Sequence, residues 1–410
     1  MILRISFLRK KYLMRFLSKH FFVLILSITF NSFAQSNFEF GGYAKYLFNT
    51  SKYPQLSERT YDHILHNRIN TKYFFDGSFS LTGEFRFRTF FGSSIEKLPE
   101  FSSLIKTKQP LFNLDWMLWN TNKSIGYAEV DRLYFDYNAN QFQITLGRQR
   151  VAWGTSWVWN PTDLFNPLSI LDFDYEEYPG NDALRIQYYT GAISKVEFAI
   201  APTREKNKLT AAGLISLNAF DYDFNFLAGL KNHRWIAGFS WVGDIADAGF
   251  RGEITFQEKS KRLTEYETFY SSFNLLPMSY NNQNQISIVL SGDYTFPNSF
   301  YIHTEILYNN IGVKTFTSQF TQEATDLGLL SPSRLSLFQE FSYNISPLTR
   351  AGIFTILNPD DKSYVIVPSL SYSIVTNLDL YLIALLFEGD EYSQYGNFGN
   401  SIFARLKYSF

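Results

Sequence analysis

The chain has 410 residues, with 37 Lys and Arg against 38 Asp and Glu, five His and no Cys. Without cysteine there is no disulfide, no thiolate metal site and no cysteine nucleophile. The near-neutral charge excludes the basic stripe that meets nucleic-acid phosphates. Aromatic residues make up 19% and charged residues 18%, where an ordinary soluble domain has about 25% charged.

Residues 1–35 read as a secretory leader. Arg4, Arg9, Lys10, Lys11, Arg15 and Lys19 precede the apolar run Phe21 to Phe30, and Asn31-Ser32-Phe33-Ala34-Gln35 follows. That order is the signature of a cleaved signal peptide. The run is 10 residues, too short for a membrane helix of roughly 20. Cleavage after Ala34 or Gln35 removes six basic residues and leaves 31 basic against 38 acidic, a net charge of −7. No later stretch approaches the length of an apolar membrane helix.

From there the chain alternates. Between Ser78 and Phe90, Phe79, Leu81, Phe85 and Phe87 fall on one parity and Ser80, Thr82, Glu84, Arg86 and Arg88 on the other. Successive side chains of a strand point to opposite faces, so one face is greasy and the other charged. The same pattern predicts strands near 38–49, 61–74, 77–91, 126–138, 141–148, 182–190, 193–202, 209–218, 221–231, 234–244, 247–257, 284–296, 298–310, 334–346, 348–358, 362–374, 376–388 and 398–410. These are 18 strands, or 16 if the weaker segments 209–218 and 362–374 do not span. Most have the 9 to 13 residues that a tilted strand needs to cross a bilayer.

The connections alternate too. Phe75-Asp76-Gly77, Asn138-Ala139-Asn140, Ala219-Phe220, Ile245-Ala246, Pro297-Asn298 and Val375-Thr376-Asn377 are tight hairpin turns. The intervening loops are generally longer, notably 92–125, 149–181, 258–283 and 311–333. Brief turns at one end and long loops at the other are the wiring of a transmembrane barrel. The inward parity carries Arg86, Arg88, Arg132 and Arg185 with Glu84, Glu197, Glu253 and Glu305. A dry protein core does not tolerate such a set, whereas a wet lumen does. The predicted fold class is therefore an all-β antiparallel transmembrane barrel over 36–410, with a first strand that begins too soon after the leader to leave an N-terminal plug.

Segment 147–182 stands apart. It holds Trp153, Trp157 and Trp159, then the acidic residues Asp172, Asp174, Glu176, Glu177 and Asp182. Gly147-Arg148-Gln149-Arg150, Trp153-Gly154 and Trp159-Asn160-Pro161-Thr162-Asp163-Leu164-Phe165-Asn166-Pro167 resemble a group of poorly characterised porin-like outer-membrane proteins related to the alginate-export type of barrel. The C-terminal Arg405-Leu406-Lys407-Tyr408-Ser409-Phe410 resembles the assembly signal of Gram-negative outer-membrane proteins. These resemblances imply an outer-membrane barrel, inserted by the barrel-assembly machinery through Phe410, in contact with outer-membrane lipid and with both termini periplasmic. They imply no particular solute. In general porins the third outside loop narrows the pore, and 149–181 is the third here.

The expected site is thus a constriction in which Trp153, Trp157, Trp159, Asp172, Asp174, Glu176 and Glu177 face lumenal Arg86, Arg88, Arg132 and Arg185. Opposed charges would set a transverse field that sorts solutes by charge and dipole. The plainer reading is a compact surface loop packed on its own aromatics.

Catalysis and cofactors find little support. His63, His66, His233 and His303 are the histidines outside the leader, and His63 and His66 point to opposite faces of a strand. Asp172, Asp174 and Glu176 lack the glycine of a calcium loop and read as a solvated patch. No nucleophile elbow, zinc-protease or phosphate-loop motif occurs, and no metal or cofactor is expected. His303 with Glu305 is the one inward pair worth examining. The expected function is passive passage of small hydrophilic solutes. Export of an envelope polysaccharide, or service as a subunit of a larger outer-membrane complex, ranks second, and a rim hydrolase third. An oligomer is left open.

Overall fold

Eighteen antiparallel strands close into one barrel wall, joined by a nineteenth, short strand, in the computed structural model, which describes residues 37–97, 101–105, 111–165, 177, 180–204, 208–260 and 283–410. The expected leader 1–35 lies outside the described residues. The strands are β1 (Phe38–Lys52), β2 (Thr60–Phe74), β3 (Phe79–Gly92), β4 (Asp115–Asn120), β5 (Ser124–Ala139), β6 (Phe142–Gln149), β7 (Asn181–Tyr189), β8 (Lys195–Ala201), β9 (Thr210–Ala219) and β10 (Tyr222–Lys231). They continue as β11 (Arg234–Ile245), β12 (Ala248–Gln257), β13 (Gln285–Thr295), β14 (Phe300–Asn309), β15 (Leu335–Ser346), β16 (Thr349–Asn358), β17 (Ser363–Val375), β18 (Leu378–Glu388) and β19 (Asn400–Ser409). Among the described residues three helices lie in the long loops: α1 (Ser93–Lys97), α2 (Phe101–Leu104) and α3 (Thr317–Leu327). None of the described helices is long and apolar enough to cross a membrane.

Closure is made by β1 and β19, in register from Tyr43 opposite Ser409 to Lys52 opposite Asn400. Both weakly patterned segments, now β9 and β17, are full wall strands paired on both edges. A closed ring leaves no wall edge unpaired, the condition for β structure in lipid.

Burial is inverted relative to a soluble sheet. In β3, Phe79 is 47% exposed and Phe87 41%, while Arg86 is 1% exposed and Ser80 and Thr82 are buried. The same holds in β14, where Ile306 and Tyr308 are exposed and His303 and Glu305 buried. The greasy parity faces out and the polar parity in. The outward apolar surface forms the belt that hydrocarbon would cover.

At one end, hereafter the turn end, the hairpins are tight. Phe220 and Asp221 have φ 57° and 62°, and Ala246 and Asp247 have 50° and 66°. Positive φ at both central residues is the type I′ arrangement that matches strand twist. For a residue with a Cβ it costs about 1–2 kcal/mol. At the opposite loop end lie 150–165, α1, α2 and α3. The α3 helix buries Phe320, Ala324 and Leu327 in a small apolar group with Ile311, Val313 and Leu329.

β4 was not anticipated. It pairs with the loop-end half of β5, from Asp115 opposite Glu129 to Asn120 opposite Ile125. The turn-end half of the same β5 edge pairs with β6. β4 therefore takes over the wall where β6 stops.

Candidate functional site

The site is the strap that β6 releases into the lumen. At Gly147 φ is +125°, and a Cβ there would stand 2.3 Å from the Leu133 carbonyl oxygen. Only glycine permits this bend. Arg148 then grips Asp182 through two hydrogen bonds of 2.9 and 3.1 Å and donates to the carbonyls of Val130 and Phe112. The Gln149 amide donates to the carbonyls of Thr145 and Ala183. Entry and exit of the strap are so fastened together at the wall.

Inside, the strap first packs on apolar wall. Val151, Trp153, Leu164 and Phe165 sit against Ala183, Ala199, Ala201, Ala212, Leu214 and Leu227 of β7 to β10. Alanine on the inner face leaves room for the indole. The Trp153 Nε1–H donates to Glu197 at 2.7 Å, and Glu197 also takes Arg185 at 2.5 Å and Lys195 at 2.9 Å.

The middle of the strap is held by two wall carboxylates. Glu253 on β12 accepts from the Thr155 N–H and hydroxyl, the Ser156 N–H, and the Thr162 N–H and hydroxyl, at 2.6–3.0 Å. Glu305 on β14 accepts from the backbone N–H groups of Trp157, Val158 and Trp159 at 3.3, 3.3 and 2.7 Å. Both carboxylates are fully buried. Converging N–H dipoles form a nest that compensates an anion without a cation. The reversal of the chain between these anchors needs Gly154, where a Cβ would meet Asn160 Oδ1 at 2.3 Å.

Beyond Glu305 the strap meets the far wall. Val158 and Trp159 join Val289, Leu307, Phe338 and Val365 in a second apolar group that includes Tyr395 of the last outer loop. Burial beside Asp361 pushes the Tyr395 phenol above its ordinary range. Glu177 returns to β1 and β2, within 3.2 Å of the Tyr43 hydroxyl and 3.5 Å of Arg68. Asp172, Asp174 and Glu176 lie outside the described residues.

The remaining residues singled out from sequence fall as follows. Trp153 and Trp159 are buried, while Trp157 is exposed with the Arg251 guanidinium 5.0 Å above its ring. Arg86 binds Glu129, and Arg88 lies 3.7 Å from the same carboxylate. Arg68 binds Glu84, and Asp131 at 2.6 Å. Arg132 is buried opposite Glu84 in the strand register. Among the described residues, the carboxylates facing Arg86 and Arg185 belong to neighbouring wall strands, and Glu177 faces Arg68. His303 is buried, 3.0 Å from the Ser291 hydroxyl and 3.5 Å from Glu305, whose oxygens already serve the strap. Among the described residues no group of acidic and histidine side chains could hold a metal ion.

Glu253 and Glu305 were read as inward wall charges and not as site residues. A signal was present. The cross-strand neighbours of Glu253 are Ser240 and Val289, and those of Glu305 are Ser291 and Phe338. An inward carboxylate with neutral neighbours on both sides must find its donors off the wall.

No family model matches the chain, and no curated protein does. Solved structures do. Pseudomonas aeruginosa OccK5 (OpdH) aligns over 91% of this chain and 98% of its own, with TM-score 0.58 and 7% identity. Acinetobacter baumannii OccAB2 aligns over 91% and 98%, with TM-score 0.56 and 8% identity. Pseudomonas aeruginosa OccK11 (OpdR) aligns over 91% and 96%, with TM-score 0.54 and 7% identity. The fold is that of a porin-like outer-membrane barrel. At these identities the likeness reaches the fold alone, and the strap has to be argued from this chain's own residues.

Proposed function

We propose that the protein is an outer-membrane channel for small hydrophilic solutes, narrowed by the strap residues 150–165. The observation that carries this is the strap's place inside the barrel, latched to Glu253 and Glu305 beneath an outward apolar belt. Residues 1–35 direct export, and the turn end with Phe410 faces the periplasm. Solutes pass the exposed Trp157 ring and the Arg251 that covers it. Guanidinium groups over rings, here and at Tyr301 with Arg350, offer polar and stacking contacts without a fixed site. No catalytic role is assigned.

A second reading keeps one supporting observation. The strap touches wall strands from β7 round to β18, and through Glu177 reaches β2. Such reach suits a barrel closed at rest that serves export or a larger surface complex.

Single-channel recording of the refolded chain lacking its leader, in a planar bilayer, separates the two. Stable conductance steps that grow on deletion of 160–178 support the narrowed channel. Steps of unchanged size after that deletion remove the strap as the constriction. Silence from a folded, heat-modifiable barrel that conducts only after the deletion favours the closed reading.

A further inference from the structure

The turn end carries the wrong chemistry for a rim standing in water. Phe75, Ile193, Phe220, Ile245, Leu348 and Val375 lie in or beside its hairpin turns, and all are exposed. The loop end differs: the short connection after β16 carries Asp360, Asp361 and Lys362, and the chain leaves β12 through Glu258 and Lys259.

Phe220 is the sharpest case. It occupies the first central position of the β9–β10 turn at φ 57°, where Asn or Gly fits without strain and a bulky side chain is a true outlier. Its ring is 91% exposed and packs on nothing in the barrel. Turn geometry therefore argues against Phe, and internal packing gives no reason for it. What lies beside it does. Tyr222, Phe224, Phe239, Trp241 and Phe250 form an unbroken run of ring contacts across β10 to β12, with centroids 5.7–6.1 Å apart. This run belongs to the outward belt and reaches the turns, where Phe220 and Ile245 stand beside the exposed Asp221 and Asp247.

We propose that the turn end is sunk into the membrane, with Phe220, Leu348, Ile193 and their neighbours inserted at the acyl–headgroup boundary of the phospholipid leaflet on that side. The proposal rests on the reading of the chain as a membrane-spanning barrel and adds where its boundary lies. Aromatic and apolar side chains favour that boundary, and their burial there draws the turns inward. The leaflet is the occupant because the apolar surface is continuous with the belt that lipid covers.

The chain has no cysteine, so a single introduced cysteine carries a unique fluorophore. The variants are Phe220→Cys, Leu348→Cys, Leu217→Cys on the belt and Asp360→Cys at the loop end. Each is refolded into phosphatidylcholine vesicles, checked for heat-modifiable migration, and quenched by lipid-borne nitroxide or by aqueous iodide. The expected result is that labels at 217, 220 and 348 lose most emission to nitroxide and little to iodide, with the reverse at 360. If 217 answers to nitroxide while 220 and 348 answer to iodide, the turns stand in water and the proposal is overturned, with the barrel reading intact. If 217 also answers only to iodide, the membrane-spanning reading fails and takes the proposal with it. Leu348→Cys decides alone should Phe220→Cys not fold.

Discussion

Two sectors of the inner wall are filled in opposite ways. Along β7 to β10 the inner face toward the loop end is apolar, beside the Arg185–Glu197 pair, and the strap lies directly on Ala199, Ala212 and Leu214. Along β2 to β5 the inward residues are charged, and wall carboxylates meet wall guanidiniums: Arg68 with Glu84 and Asp131, and Arg86 with Glu129. The first sector is incomplete without the strap, because inward alanines facing a wet lumen would gain nothing from being apolar. In the second, among the described residues, the strap adds Glu177 beside Arg68 to pairs already made within the wall. An apolar stretch on the inward parity of a barrel strand thus marks a place where some other part of the chain lies down, whereas matched charge marks wall that stands alone.

That contrast can be broken at its strongest point through Glu253→Gln. The amide keeps the volume but replaces one acceptor oxygen by an N–H₂, which then faces at least two of the five donors and leaves buried groups unmet at a cost on the order of 3 kcal/mol. The expected outcome is release of the strap, seen as protease cleavage within 150–165 and larger conductance steps. An unchanged cleavage pattern would mean the apolar sector holds the strap unaided. Next comes Ala199→Leu beneath the strap, where overpacking costs about 1–3 kcal/mol. A lower unfolding midpoint with the charged sector's ion pairs retained is expected. The smallest effect is expected from Glu177→Ala. Arg68 keeps two wall carboxylates, so a partly exposed third partner contributes under about 1 kcal/mol. A loss of stability equal to that of Glu253→Gln would show that the charged sector depends on the strap after all.

The wall was legible in the sequence because lipid on one side and polar surroundings on the other impose a strict period of two. Even β9 and β17, whose pattern is diluted by Gly213 and Pro368, stand where the alternation put them. The C-terminal strand paired as its alternation required, Tyr43 opposite Ser409. β4 escaped because Asp115–Asn120 is six residues with Trp116, Leu118 and Trp119 all exposed, and six residues inside a long loop carry too little period to read. The strap's placement was legible as a concentration of Trp behind a strand, but its anchors showed only as inward carboxylates with neutral cross-strand neighbours. Glu253 and Glu305 bind mainly backbone N–H groups, and a backbone donor leaves no mark in the choice of side chains. Arg86, read as opposing the strap, pairs with Glu129 on the wall, a contact set by the β3–β5 register and its bulge after Glu84.

The takeover of the β5 edge by β4 bears on how the outer surface can be engineered. A strand that leaves the wall to cross the lumen strands its neighbour's hydrogen-bonding edge, and here residues of the preceding loop close that gap, with Phe112 clipped to Arg148 and Asp182. The segment 111–123 is therefore a patch on the hull and not a free outer loop. An epitope grafted there would reopen the seam, whereas the short Pro359–Lys362 turn between β16 and β17 offers display without touching the wall's continuity. Loop length alone is a poor guide to where this barrel accepts cargo on its surface.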